Sequence, residues 1–62
     1  MTYKELIKEY KKRGFTLVDD NEKFSVLDKE GREFPLNSED MKKYKSGKEE
    51  VPPYFLEFLD VL

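Results

Sequence analysis

From residue 15 to residue 36 the chain alternates apolar and polar positions with a period of two, interrupted at Asp20-Asn21 and at Lys29-Glu30-Gly31. A two-residue loop at Asp20-Asn21, closed by Asp19 and Glu22, sets Leu17 opposite Phe24 and Phe15 opposite Val26. A three-residue loop at Lys29-Glu30-Gly31, closed by Asp28 and Arg32, sets Val26 opposite Phe34 and Phe24 opposite Leu36, with Gly31 left-handed. Both turns aim Phe15, Leu17, Phe24, Val26, Phe34 and Leu36 at one face. The expectation is a meander of three strands, Phe15 to Asp19, Glu22 to Asp28 and Arg32 to Leu36. Pro35 has no N–H to give a ladder, so the third strand belongs at an edge and the second in the centre.

Outside this region the apolar spacing becomes helical. Thr2 and Glu5 form a capping-box pair, and Tyr3, Leu6, Ile7 and Tyr10 share a narrow arc. Lys11, Lys12 and Arg13 suit the negative end of the helix dipole, and Gly14 suits a left-handed cap, giving a helix over 3–13. Asn37 is placed to cap a short helix with Asp40 at its third position and Leu36 stapled against Met41. Met41 and Tyr44 give it an apolar edge, and Gly47 ends it. After the polar Lys48-Glu49-Glu50 connection, Pro52 and Pro53 start a last helix over 54–62. Its apolar arc holds Tyr54, Phe55, Phe58, Leu59, Val61 and Leu62, with Leu56 opposite.

These elements predict one α+β domain spanning residues 1–62. It has two layers, the N-terminal helix, the short helix and the C-terminal helix all packing on one face of the three-stranded antiparallel sheet. Such a chain sits near the lower size limit for folding on a hydrophobic core alone. It holds no cysteine, so no disulfide supports it, and no histidine, which leaves only carboxylates for a metal site. No metal and no cofactor are expected. The opening residues pass directly into a charged segment and no apolar run nears the roughly twenty residues that cross a bilayer, so a cytoplasmic protein without a membrane partner is expected.

Charge falls in blocks that leave a net of -2. Residues 1–18 carry five basic and two acidic groups, and residues 19–40 three basic and eight acidic. Residues 41–48 hold four lysines and no acid, and residues 49–62 four acids and no base. Such blocks keep a small domain in solution and select its neighbours.

Catalysis is not expected, and neither is a small-molecule substrate. Ser46-Gly47-Lys48 lacks the earlier glycine, the following hydroxyl residue and the preceding strand of a phosphate loop. The carboxylate groups at Asp19-Asp20-Glu22 and Asp28-Glu30 sit in turns, where Asp is wanted for backbone reasons, and neither fits a calcium loop.

Two binding functions remain. Val18 and Leu27 point away from the core face, and Leu56 lies on the polar side of its helix, which makes these three the candidate contacts for another protein or a second copy. The expected function is therefore a small accessory or regulatory protein-binding domain, capable of weak homodimerisation. The alternative is nucleic-acid binding by two lysine groups, Lys4, Lys8, Lys11 and Lys12 on the first helix and Lys42, Lys43 and Lys45 with Lys48 on the second. Were these helices side by side, the groups would merge, and Tyr3 and Tyr10 would be placed to stack on bases. Lysines more often simply solvate helix faces, and the acidic blocks repel a polyanion, so this function ranks second.

Overall fold

A computed structural model describes residues 1–61 and shows an α+β architecture in which a three-stranded antiparallel sheet carries helices on one face. Helix α1 spans Tyr3–Lys12, strands β1, β2 and β3 span Thr16–Asp19, Phe24–Leu27 and Glu33–Leu36, and helix α2 spans Ser38–Ser46. A one-turn helix α3, Tyr54–Glu57, continues into a 3₁₀ turn over Phe58–Val61. The sheet order β1-β2-β3 leaves Pro35 on an edge strand, where its missing N–H breaks no ladder bond.

The α1 capping box is present. The Thr2 hydroxyl accepts from the Glu5 N–H at 3.2 Å, and the Glu5 carboxylate accepts from the Thr2 N–H at 2.8 Å. The helix stops one residue before the expected end, with Arg13 as its cap, because the chain turns through Gly14 at φ +85°. The φ of Gly14 is what calls for glycine here, since the neighbour a Cβ would meet is the flexible end of the exposed Lys29 side chain. On α2, Asn37 accepts from the Asp40 N–H at 3.1 Å, and left-handed Gly47 ends the helix as expected.

The second hairpin has the register read from its turn, Val26 facing Phe34 and Phe24 facing Leu36. The first does not. Leu17 faces Val26 and Asp19 faces Phe24, a shift of two residues from the pairing that a two-residue loop imposes. The cause is side-chain chemistry in the loop. Asp19 accepts from the Asn21 N–H at 3.0 Å, and Asp20 accepts from the N–H groups of both Glu22 and Lys23. Those bonds hold Asp20 to Lys23 as a four-residue loop in which Asn21 alone is left-handed, whereas the two-residue type I′ turn needs two such residues. A shift of two preserves the side-chain alternation, so the apolar face survives.

That face is the core. Phe24 and Val26 on β2 pack with Leu6 and Tyr10 of α1, Met41 and Tyr44 of α2, and Val51, Phe55 and Leu59 of the C-terminal segment. Phe15, Leu17, Phe34, Leu36 and Phe58 are half-buried around them, Leu36 packing on the cluster that holds Met41. The Tyr44 and Phe55 rings meet edge to face, 5.3 Å apart. Tyr10 is fully buried, its hydroxyl donating to the Phe55 carbonyl at 3.0 Å, and burial pushes its phenol up to about 12. Met1 and Val51 exchange backbone bonds, Val51 N–H to Met1 O at 2.7 Å and Met1 N to Val51 O at 3.1 Å. They tie the start of α1 to the segment before α3, so the connection read as merely polar ends on a core residue.

The last helix departs from the expected single element over 54–62. Amides already bond three residues back at its start, Phe55 to Pro52 at 3.2 Å and Leu56 to Pro53 at 3.0 Å, and the segment tightens fully to 3₁₀ from Phe58. The change of winding takes Val61 out of the apolar arc and leaves it 84% exposed. Leu62, assigned to that arc from the sequence, lies outside the described residues.

Phe24 is 2% exposed at the centre of this cluster. Phe24→Ala is expected to cost about 3–5 kcal/mol, most of the stability of so small a domain. Thermal melting checks this, and an unchanged melting temperature contradicts the place of Phe24 in the core.

Candidate functional site

Alternation along the strands turns Thr16 and Val18 of β1, Ser25 and Leu27 of β2, and Glu33 and Pro35 of β3 to the face that carries no helix. The observed register gives this face its shape. Thr16 pairs with Leu27 and Val18 pairs with Ser25, so Val18 and Leu27 are diagonal cross-strand neighbours, about 7–8 Å apart between Cα atoms. In the register read from a two-residue loop they stand a further two residues apart. The shift produced by the aspartates of the loop therefore brings the two aliphatic side chains together.

Both are half-buried, and their surroundings supply what cover they have. Ser25, between them along the ladder, is 8% exposed, and its hydroxyl donates to the Glu33 carboxylate at 2.8 Å. Glu33 thus bends across the sheet from its diagonal position on β3 and flanks the aliphatic pair with charge. Thr16 and Pro35 are exposed. The result is a small apolar centre with a polar border, the usual composition of a binding patch.

Leu56, grouped with Val18 and Leu27 from the sequence, belongs elsewhere. It is half-buried rather than exposed, packs against the core, and sits in the helical layer on the other side of the sheet. There it borders a depression of about 430 Å³ with Met1, Glu5, Lys8, Glu9 and Lys12. The helix wheel placed Leu56 on the polar side of α3 without showing that α1 flanks that side.

The lysines do not assemble as one patch. The main packing partners of α1 are β1 and α3, so it does not lie along α2. Lys12 pairs with Glu9 at 3.1 Å, and Arg13 pairs with the same carboxylate at 2.8 Å. Lys4, Lys8 and Lys11 are exposed on α1, as are Lys42 and Lys43 on α2, Lys42 and Lys43 bordering a depression with Ser46 and Lys48. Lys45 is committed within the fold, its ammonium 2.8 Å from Asp19 and 2.9 Å from the Asn21 side-chain oxygen. The tyrosines proposed to stack on bases are committed too. Tyr10 is fully buried, and the half-buried Tyr3 donates its hydroxyl to Asp19 at 3.0 Å.

Asp19 is therefore a junction and not a turn residue only. It joins the start of α1 through Tyr3, the first hairpin through Asn21 and the end of α2 through Lys45. The Lys45 ammonium, with the Asn21 N–H and the Tyr3 hydroxyl, holds its carboxyl below the usual carboxylate range. The Tyr3 phenol moves upward, from burial first and then from its bond to Asp19. Only the Asp19-Asn21 part was legible locally, because Tyr3 and Lys45 are 16 and 26 residues away.

Among the described residues no group of three or more His, Cys, Asp or Glu side chains converges as a metal site, and no helix is long and apolar enough to cross a membrane. Comparison of the chain with protein-family models, with curated proteins and with solved structures finds no match in any of the three.

The Asp19 junction has a testable pH dependence. Its carboxyl is depressed in the folded state, so its contribution is present above the unfolded value near 3.9 and is lost as pH falls through the folded value. Asp19→Asn is expected to lower stability at pH 7 by up to about 1 kcal/mol, a difference that closes in strong acid, where both proteins carry a neutral side chain. Denaturant unfolding at several pH values measures it, and a difference that stayed constant would place the effect outside the Asp19 charge.

Proposed function

We propose that the chain is a small non-catalytic accessory or regulatory domain that works by binding another protein through the uncovered face of its sheet. The observation that carries this reading is the juxtaposition of Val18 and Leu27 on that face, with Ser25, Glu33 and Pro35 around them. Fully burying an exposed side chain of this kind contributes about 1.5–3 kcal/mol, and Val18 and Leu27, already half-buried, keep only part of that for a partner, which suits a weak interface. The absence of cysteine suits a cytoplasmic, reducing setting. Leu56 is not part of this surface.

The test is site-specific photo-crosslinking in an extract of the native cells, with the reactive side chain placed at Leu27 or, as a control on the helical layer, at Lys4. A discrete adduct is expected from Leu27 and not from Lys4, and it should disappear on adding Val18→Thr. The variant carrying Val18→Thr with Leu27→Lys should stay folded, losing less than about 1 kcal/mol. Equal labelling from both positions, or none from Leu27, contradicts the reading. Oligonucleotide affinity that fell steeply with salt and dropped on replacing Lys8 and Lys12 would put nucleic-acid binding in its place.

A further inference from the structure

The two edges of the sheet differ in chemistry. In the second hairpin the Asp28 N–H donates to the Arg32 carbonyl at 3.0 Å, and in the first the Asp20 N–H donates to the Lys23 carbonyl at 3.3 Å. In an antiparallel pair, hydrogen-bonded positions recur every second residue. Continuing from these closures, Val26 with Phe34 and Phe24 with Leu36 bond across β2–β3, while Val18 with Ser25 and Thr16 with Leu27 bond across β1–β2. The residues left facing outward are therefore Glu33 and Pro35 on β3, and Leu17 and Asp19 on β1.

On β3 the outward row is defective. Pro35 has no N–H, so that edge offers a single donor, at Glu33. On β1 the row is whole. Leu17 and Asp19 each offer an N–H and a C=O, and no turn, cap or side chain among the described residues engages these groups. An edge of this kind is a template for another strand.

We propose that β1 docks a second copy of this chain, antiparallel, about a two-fold axis passing through Val18. The proposal rests on the protein-binding reading above and names its partner. Leu17 and Asp19 are two residues apart, so a two-fold axis between them sets Leu17 opposite Asp19 of the second copy and the reverse. Each facing pair exchanges both of its backbone bonds, giving four in all. The neighbouring two-fold registers are worse. Centring on Leu17 calls on Phe15, whose N–H already donates to the Tyr10 carbonyl at 2.8 Å. Centring on Asp19 puts two carboxylates opposite each other.

Centring on Val18 also fits the side chains. The two Val18 residues form a non-hydrogen-bonded pair, the closer of the two spacings, on the uncovered face. Leu27 is the diagonal neighbour of Val18 in each copy, so the two aliphatic pairs join into one strip running Leu27, Val18, Val18, Leu27 across a six-stranded sheet. Asp19 enters the pairing with its carboxylate already held by Lys45 and Tyr3. A contact made of one short strand and four aliphatic side chains is smaller than a standard interface, so the dimer is weak and concentration-dependent.

Sedimentation equilibrium over a wide concentration range, with amide exchange followed by NMR, tests this on the whole chain. The wild type should dimerise reversibly, and the Leu17 and Asp19 amides should gain protection with concentration while the Glu33 amide does not. Val18→Lys, which sets two ammonium groups face to face at the axis, should weaken the dimer by more than about tenfold. Thr16→Lys should preserve it, because position 16 lies opposite Asp20 of the other copy. Unchanged monomer fold in both variants, checked by their amide spectra, keeps the comparison valid. A wild type that stays monomeric, a dimer indifferent to Val18→Lys, or protection at Glu33 instead of Leu17 overturns the proposal. If the chain is monomeric while Leu27 still crosslinks a discrete partner, the second-copy assignment falls and the protein-binding reading stands; if neither occurs, both fall.

Discussion

The hydroxyl of Tyr10 crosses the core to donate to the Phe55 carbonyl, a buried bond that ties α1 to the C-terminal segment. Tyr10 is fully buried, so its ring fills core volume while its polar end meets an acceptor at the start of the C-terminal segment. The reciprocal bonds between Met1 and Val51 fix the opposite end of α1 to the same segment. With α1 joined to this segment at both ends, Phe55 and Leu59 are held over Phe24 and Val26, and the sheet buries one face. A chain this short has little other means of covering a sheet.

Covering one face leaves the other open. Among the described residues, the side bearing Val18, Leu27 and Pro35 is bordered by the Ser25–Glu33 hydrogen bond. Asp19 connects the two problems. On the core side it joins α1, α2 and the first hairpin, and the loop it helps to build sets the register that makes Val18 and Leu27 neighbours. The same residue presents its backbone to the free edge of β1.

The sequence was most legible where a structural decision is local. Thr2 with Glu5, Asn37 with Asp40, and the left-handed glycines at 14, 31 and 47 act within a few residues, and each stands where spacing places it. The core face was legible because period-two alternation survives a register shift of two. The shift itself was not legible, since it turns on which oxygens of Asp19 and Asp20 capture which amides. Val51 as a core residue, Leu56 as a neighbour of α1, and Lys45 as a partner of Asp19 all depend on contacts between distant segments. A helix wheel carries no information about these.

On this view α1, the sheet and the C-terminal segment form one cooperative unit joined through Tyr10. Native-state hydrogen exchange on Tyr10→Phe tests it most directly, because the substitution keeps the ring and leaves the Phe55 carbonyl without its donor. The most protected amides of α1, of β2 and of the segment around Leu59 should lose protection together, by about 1–3 kcal/mol. A loss confined to the C-terminal segment, with β2 as protected as in the wild type, would contradict it.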